Sequence, residues 1–173
     1  MEPILIAIIA VTSAIVLLGV PRVASRLAEK RRRAAIAAAF RTIAENAVVT
    51  FSGNRCDVET DGAFYAVKVV PLRFGSELIL TNRLYWCEND DPGNWKRSTK
   101  PTLVKGVAAF LEETPNTAKR IVRIALLYPT AHNVTRYLNE SDVELVRPEK
   151  AVEGVHFVPF DRLKAFLKIV DQK

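Results

Sequence analysis

The sequence predicts an α/β domain with a mixed central sheet, carried behind a single N-terminal transmembrane helix. Three observations predict it. The chain opens with an apolar run from Pro3 to Val20 that no charge interrupts. From Ala47 onward the hydrophobic period becomes two, with Gly- and Asn-containing turns between short runs. The run 121–128 is then apolar apart from Arg123, the pattern of a strand covered on both faces.

The first run is long enough to cross a bilayer. About 18 helical residues rise roughly 27 Å, close to the hydrocarbon thickness. Only Thr12 and Ser13 interrupt its apolar character, and both can bond back to their own helix. Its N-terminal flank carries only Glu2, whereas Arg22, Arg26, Lys30, Arg31, Arg32 and Arg33 follow it. Basic flanks stay on the cytoplasmic side, so the domain is expected in the cytoplasm. A cleaved signal peptide is the rival reading. It wants a basic start and a small-residue cleavage site, and Met1-Glu2-Pro3 and Gly19-Val20-Pro21 supply neither. Residues 1–21 are read as the anchor, 22–46 as a basic juxtamembrane helix and 47–173 as the cytoplasmic domain.

The charge is concentrated near the membrane. Residues 1–46 hold seven basic and three acidic residues, a net of +4; residues 47–173 hold eighteen and sixteen, a net of +2. Anionic lipid is the natural partner of the basic flank, at about 1 kcal/mol per basic side chain near the surface. The nearly balanced domain gives no argument for nucleic acid from net charge alone. Cys56 and Cys87 are read as two buried thiols in a reducing compartment.

Within the soluble part, an Ala- and Arg-rich helix is expected over 23–46, ending at Asn46. Strands are expected over 48–51, 55–59 and 63–72, separated by the turns Ser52-Gly53-Asn54 and Thr60-Asp61-Gly62. Such closely spaced strands must be antiparallel, because a parallel crossover needs many more residues. Two further runs cover 77–81 and 83–87. A polar loop over 88–98 precedes a helix over 101–114, with Leu103, Val107, Phe110 and Leu111 as its core stripe. Short strands follow at 143–146 and 156–158. Asp161 is expected to cap a last helix whose buried stripe is Leu163, Phe166, Leu167 and Val170.

Several chemistries have no signature here. There is no glycine-rich phosphate loop, dinucleotide fingerprint, paired-cysteine zinc spacing, HExxH or nucleophile elbow. The uncharged span argues against transport by this chain alone. His132 and His156 are read as structural. One constellation remains: Glu45 at the end of the first soluble helix, Asp57 in the second strand, and Lys68 inside the apolar run Phe64-Tyr65-Ala66-Val67-Lys68-Val69-Val70. A lysine in mid-strand among β-branched residues requires a reason.

In this order of elements the chain resembles the PD-(D/E)xK nuclease superfamily, and within it the nuclease-related domain family. The resemblance covers residue 39 to the C-terminus and is one of pattern. It implies a restriction-endonuclease-like fold, a divalent metal such as Mg²⁺ held by Glu45 and Asp57, and Lys68 as the catalytic cation beside water or phosphate. It also implies opposite charges in a shared cleft, favouring ionised Asp57 and protonated Lys68. The second metal-binding acid of the pattern, two before Lys68, is here Ala66, so metal binding and cleavage are expected to be weak or lost. Glu59 and Asp61 are the nearest replacements, and Ala66→Glu would aim a carboxylate at the same pocket. Trp95, Lys96, Arg97 and Lys100 in the polar loop suit a phosphate backbone and a stacked base. Two functions follow: a membrane-anchored, nuclease-like domain that binds nucleic acid, or a non-enzymatic, tethered protein-interaction module of an envelope or transfer complex.

The topology is directly testable. A C-terminal reporter active only in the cytoplasm is expected to be active in this fusion. Protection of the domain from protease inside a sealed outer compartment would contradict it.

Overall fold

The computed structural model describes residues 25–90, 101–139 and 142–171. The proposed anchor at 1–21 and the polar-loop residues 91–100 lie outside them. Among the described residues no helix is long and apolar enough to cross a membrane. The chain divides into two compact units, residues 1–38 and 39–173.

In the first unit the described residues, 25–38, are helical; the helix, α1, runs to residue 41. Glu29 faces Arg33 one turn on, a helical spacing that favours the pair. The helix ends earlier than the expected stop at Asn46. The hydroxyl of Thr42 donates to the carbonyl of Ala39 at 2.6 Å, and residues 42–46 form turns.

The second unit is an α/β structure with two mixed sheets. The first contains β1 (Val48–Ser52), β2 (Arg55–Glu59), β3 (Ala63–Pro71), β7 (Arg120–Tyr128) and β10 (Val155–Pro159), in that order across the sheet. The meander β1-β2-β3 is antiparallel, as the short turns demand. β7 then joins β3 in parallel over nine residue pairs, and β10 joins β7 in parallel. β7 thus has strand neighbours on both sides, and Ile124, Ala125, Leu126 and Leu127 are fully buried. The central-strand expectation holds.

The second sheet has the order β6 (Thr102–Leu103), β5 (Trp86–Asn89), β4 (Glu77–Leu80), β8 (Val134–Tyr137) and β9 (Val143–Leu145). It covers one face of the first sheet. Ala66, Val70, Ala125, Leu127 and Phe157 from the first meet Leu78, Leu80, Trp86 and Val134 from the second in one cluster. Trp86 stands edge-on to Phe157 at 4.8 Å between ring centroids. The opposite face of the first sheet meets Phe40, edge-on to Tyr65 at 5.2 Å, and α3 (Leu163–Asp171), whose Phe166 stacks against His156 at 5.0 Å. Leu163, Phe166, Leu167 and Val170 are buried, as their spacing predicts.

Three local expectations are corrected. The helix expected over 101–114 is only α2, Val107–Glu112. Thr102 and Leu103 pair instead with Glu88 and Cys87. Gly106 then adopts a left-handed φ of 69°, which closes the strand off from the helix. Leu103 therefore lies on an edge strand and is 49 % exposed, not part of a buried stripe. Val107, Phe110 and Leu111 are buried as expected. Asp161 does not cap α3. It lies in a 3-10 turn, Phe160–Arg162, and accepts a hydrogen bond from the hydroxyl of Thr130 at 3.0 Å. The strand expected over 83–87 lies instead at Trp86–Asn89, and β8 is a strand beyond those expected. Cys56 is buried as expected, Cys87 is only half-buried, and neither is in a disulfide.

Phe157 sits where the two sheets meet. Phe157→Ala is expected to lower the unfolding free energy by about 3–5 kcal/mol in urea titration. Leu103→Ala is expected to change it by less than about 0.5 kcal/mol. Equal effects of the two would contradict this packing.

Candidate functional site

Lys68 is on the sheet face that meets the second sheet. In the antiparallel register Arg55 stands opposite Lys68, Asp57 opposite Ala66 and Glu59 opposite Phe64. Directly opposed residues share a face. The structure therefore brings Asp57 and Lys68 to one face of adjacent strands. Arg123 of β7 lies beside Ala66 in the parallel register.

Asp57 is committed to arginine. The Nε of Arg55 donates to its Oδ1 at 2.9 Å, and Arg55 Nη1 reaches the carboxylate of Glu113 beyond the end of α2. The alternation of β2 puts Arg55 and Asp57 two residues apart on one face, so the pair forms within the strand. Arg123 bends to the same corner, where its Nη2 donates to the carbonyl of Glu113 at 3.2 Å. Its Nε is buried without a partner among the described residues. The ground around Ala66 is thus occupied by two guanidiniums. Ala66 itself is 4 % exposed and part of the core. A glutamate introduced there would meet Arg123 before it met a metal.

The other acids do not replace it. Glu59 is ion-paired with Lys119 at 2.9 Å, and Asp61 is exposed in the turn after β2. Glu45 is exposed in the turn before β1 and makes no hydrogen bond or ion pair with a described residue. Among the described residues no group of three or more His, Cys, Asp or Glu side chains is placed to hold a metal ion. The donor set does not fit Mg²⁺, which demands an octahedron of oxygens.

Lys68 is the unusual group. It is half-buried and makes no hydrogen bond or ion pair among the described residues. It lines an open cleft of about 260 Å³ with Asn54, Glu88, Thr102, Val104 and Lys105. Glu88 does not neutralise it. Its Oε1 accepts from the hydroxyl of Ser76 at 3.0 Å and from the amide of Arg73. The ammonium lies 3.3 Å from the point where a Cβ on residue 106 would sit, so Gly106 gives it room. Burial pushes the Lys68 ammonium below its ordinary value of 10.5. The shared-charge expectation is therefore corrected for Lys68: Asp57 turns to Arg55, and desolvation dominates at the amine.

Trp95, Lys96, Arg97 and Lys100 lie outside the described residues. The residues that sequence reasoning missed are Arg55, Arg123, Glu113 and Gly106. The Arg55-x-Asp57 spacing signals the first. The others come from distant elements and leave no local signal. His156 has the expected structural role, with its Nδ1 2.8 Å from the carbonyl oxygen of Pro148. No family model, curated protein or solved structure matches the chain.

A half-buried ammonium with no partner among the described residues costs stability while it is protonated. Its depressed value means that the unfolded chain holds the proton more tightly. Stability from this group rises with pH through the window between the depressed value and 10.5. Lys68→Met is accordingly expected to raise the thermal midpoint at pH 7, with the gap narrowing as the pH approaches 10.5. A variant less stable than the parent at pH 7 would contradict this.

Proposed function

We propose that this chain is a membrane-anchored, cytoplasmic nuclease-like domain that holds nucleic acid and has lost metal-dependent cleavage. One observation carries the reading: Lys68 presents to an open cleft an ammonium that has no hydrogen-bond or ion-pair partner among the described residues, with Lys105 on the same lining. An anion is the natural complement, because it offsets the desolvation of Lys68. A phosphate backbone supplies such anions at regular spacing. The restriction-endonuclease-like resemblance supports the class of ligand. The resemblance implies a meander followed by a helix and a central strand, and β1-β2-β3, α2 and β7 follow in that order, with β4, β5 and β6 inserted before α2. The loss of cleavage is read from Ala66 and from the Arg55–Asp57 pair, which leave Mg²⁺ without its carboxylates.

A second reading rests on a different surface. β9 is one of the two edge strands of the second sheet, and its Val143 and Leu145 are 47 % and 58 % exposed. Apolar edges of this kind favour protein partners, which supports a tethered interaction module of an envelope or transfer complex.

Fluorescence anisotropy of the full-length chain in detergent micelles with labelled DNA and RNA oligonucleotides tests the first reading. Binding is expected to weaken with salt, and Lys68→Met is expected to reduce the slope of log affinity against log salt by about 1. Added Mg²⁺ is expected to yield no cleavage. Absence of binding at low salt would leave the interaction module as the better account.

A further inference from the structure

A second cleft, larger than the one at Lys68, opens at the carboxyl ends of β7 and β10. It measures about 410 Å³, within the range of small-molecule sites. The chain leaving β7 supplies Thr130 and His132 to its wall. The chain leaving β10 supplies Asp161 and Arg162, and the turn after β9 supplies Arg147 and Glu149. Carboxyl ends of parallel strands are where open α/β sheets place ligands, because the connections diverge there.

These walls are fixed to one another. The Thr130 hydroxyl donates to Asp161 Oδ1 at 3.0 Å and ties the two strand exits together. The amide of His132 donates to the carbonyl of Ser76 at 2.8 Å. The 147–150 turn closes through the amide of Lys150 and the carbonyl of Arg147 at 3.1 Å, and His156 holds the carbonyl of Pro148. These contacts hold the backbone of the cleft walls, while the side chains of Arg147, Glu149, Asp161 and Arg162 are exposed.

Its charges are balanced and left open. The side chains of Arg147, Arg162 and Glu149 make no hydrogen bond or ion pair among the described residues, and Asp161 commits only Oδ1. Two cations and two anions therefore line one cleft without neutralising each other. A simple anion would meet Asp161 and Glu149, and a simple cation would meet the guanidiniums. A molecule carrying both charges meets neither penalty. Leu145, Pro148 and Pro159 add apolar wall for a hydrocarbon body.

We propose that this cleft binds a small zwitterion with an apolar body, of the α-amino-acid class. Its carboxylate lies against Arg147 and Arg162, which match a carboxylate in fork geometry. Its ammonium lies against Asp161 and Glu149. The site is separate from Lys68 and stands without the nuclease-like reading.

Isothermal titration of the full-length chain with L-phenylalanine, phenylacetate and phenethylamine separates the three charge types on one ring. L-phenylalanine is expected to bind at least about tenfold more tightly than either half-charged analogue. Arg162→Gln, Arg147→Gln and Asp161→Asn are each expected to weaken it by about tenfold or more, with unchanged circular dichroism. Lys68→Met is expected to leave it unaltered. The proposal is overturned by absence of heat with L-phenylalanine, or by equal binding of phenylacetate, which would mark a plain anion site. It is overturned equally if the folded cleft variants bind as the parent does, or if Lys68→Met alone abolishes binding.

Discussion

The parallel pairing of β3 with β7 is the constraint on which the second unit depends. Nine residue pairs join the end of the meander to the central strand. The pairing forces a long connection between them, since parallel neighbours cannot be joined by a tight turn. That connection carries β4, β5, β6 and α2, and so supplies most of the second sheet. Both faces of β7 are then covered, one by the second sheet and the other by α3. The hydrogen bond from Arg120 Nη2 to the carbonyl of Val170 at 2.9 Å holds α3 to the start of β7.

A sheet buried on both faces has little room for charge, which makes its charged residues informative. Arg55, Asp57, Lys68 and Arg123 occupy neighbouring positions on the face that meets the second sheet. Three of them are reconciled locally. Arg55 bridges Asp57 and Glu113, and Arg123 donates to the carbonyl of Glu113. These pairs are partly solvated, so each adds at most about 1 kcal/mol. They also commit Asp57 to Arg55 and Arg55 to Glu113. Lys68 is reconciled with nothing among the described residues, and its cleft opens where an anion can approach.

Much of this fold is legible in the sequence. The apolar run 121–128 announces a doubly covered strand because only such a strand can bury consecutive side chains. The stripe Leu163, Phe166, Leu167 and Val170 announces α3 because its period is helical. The failures are equally physical. Leu103 fits a helical stripe in sequence, yet pairing with β5 and the left-handed Gly106 remove it from α2. β8 pairs in parallel with β4, more than fifty residues earlier, and its antiparallel partner β9 is only three residues long, so neither neighbour gives it a strong local pattern. At the site, the co-facial placement of Asp57 and Lys68 follows from strand alternation alone. The arginines that claim Asp57 and flank Ala66 depend partly on β7 and the end of α2. No local pattern in β2 or β3 reveals Arg123 or Glu113.

The central proposal is that this face of the sheet answers an anion and not a metal. Titration of the full-length chain with Mn²⁺, followed by electron paramagnetic resonance, tests it most directly. The account predicts only weak binding that Asp57→Asn leaves unchanged. Stoichiometric Mn²⁺ binding abolished by Asp57→Asn would contradict it, since Asp57 would then have left Arg55 for a metal.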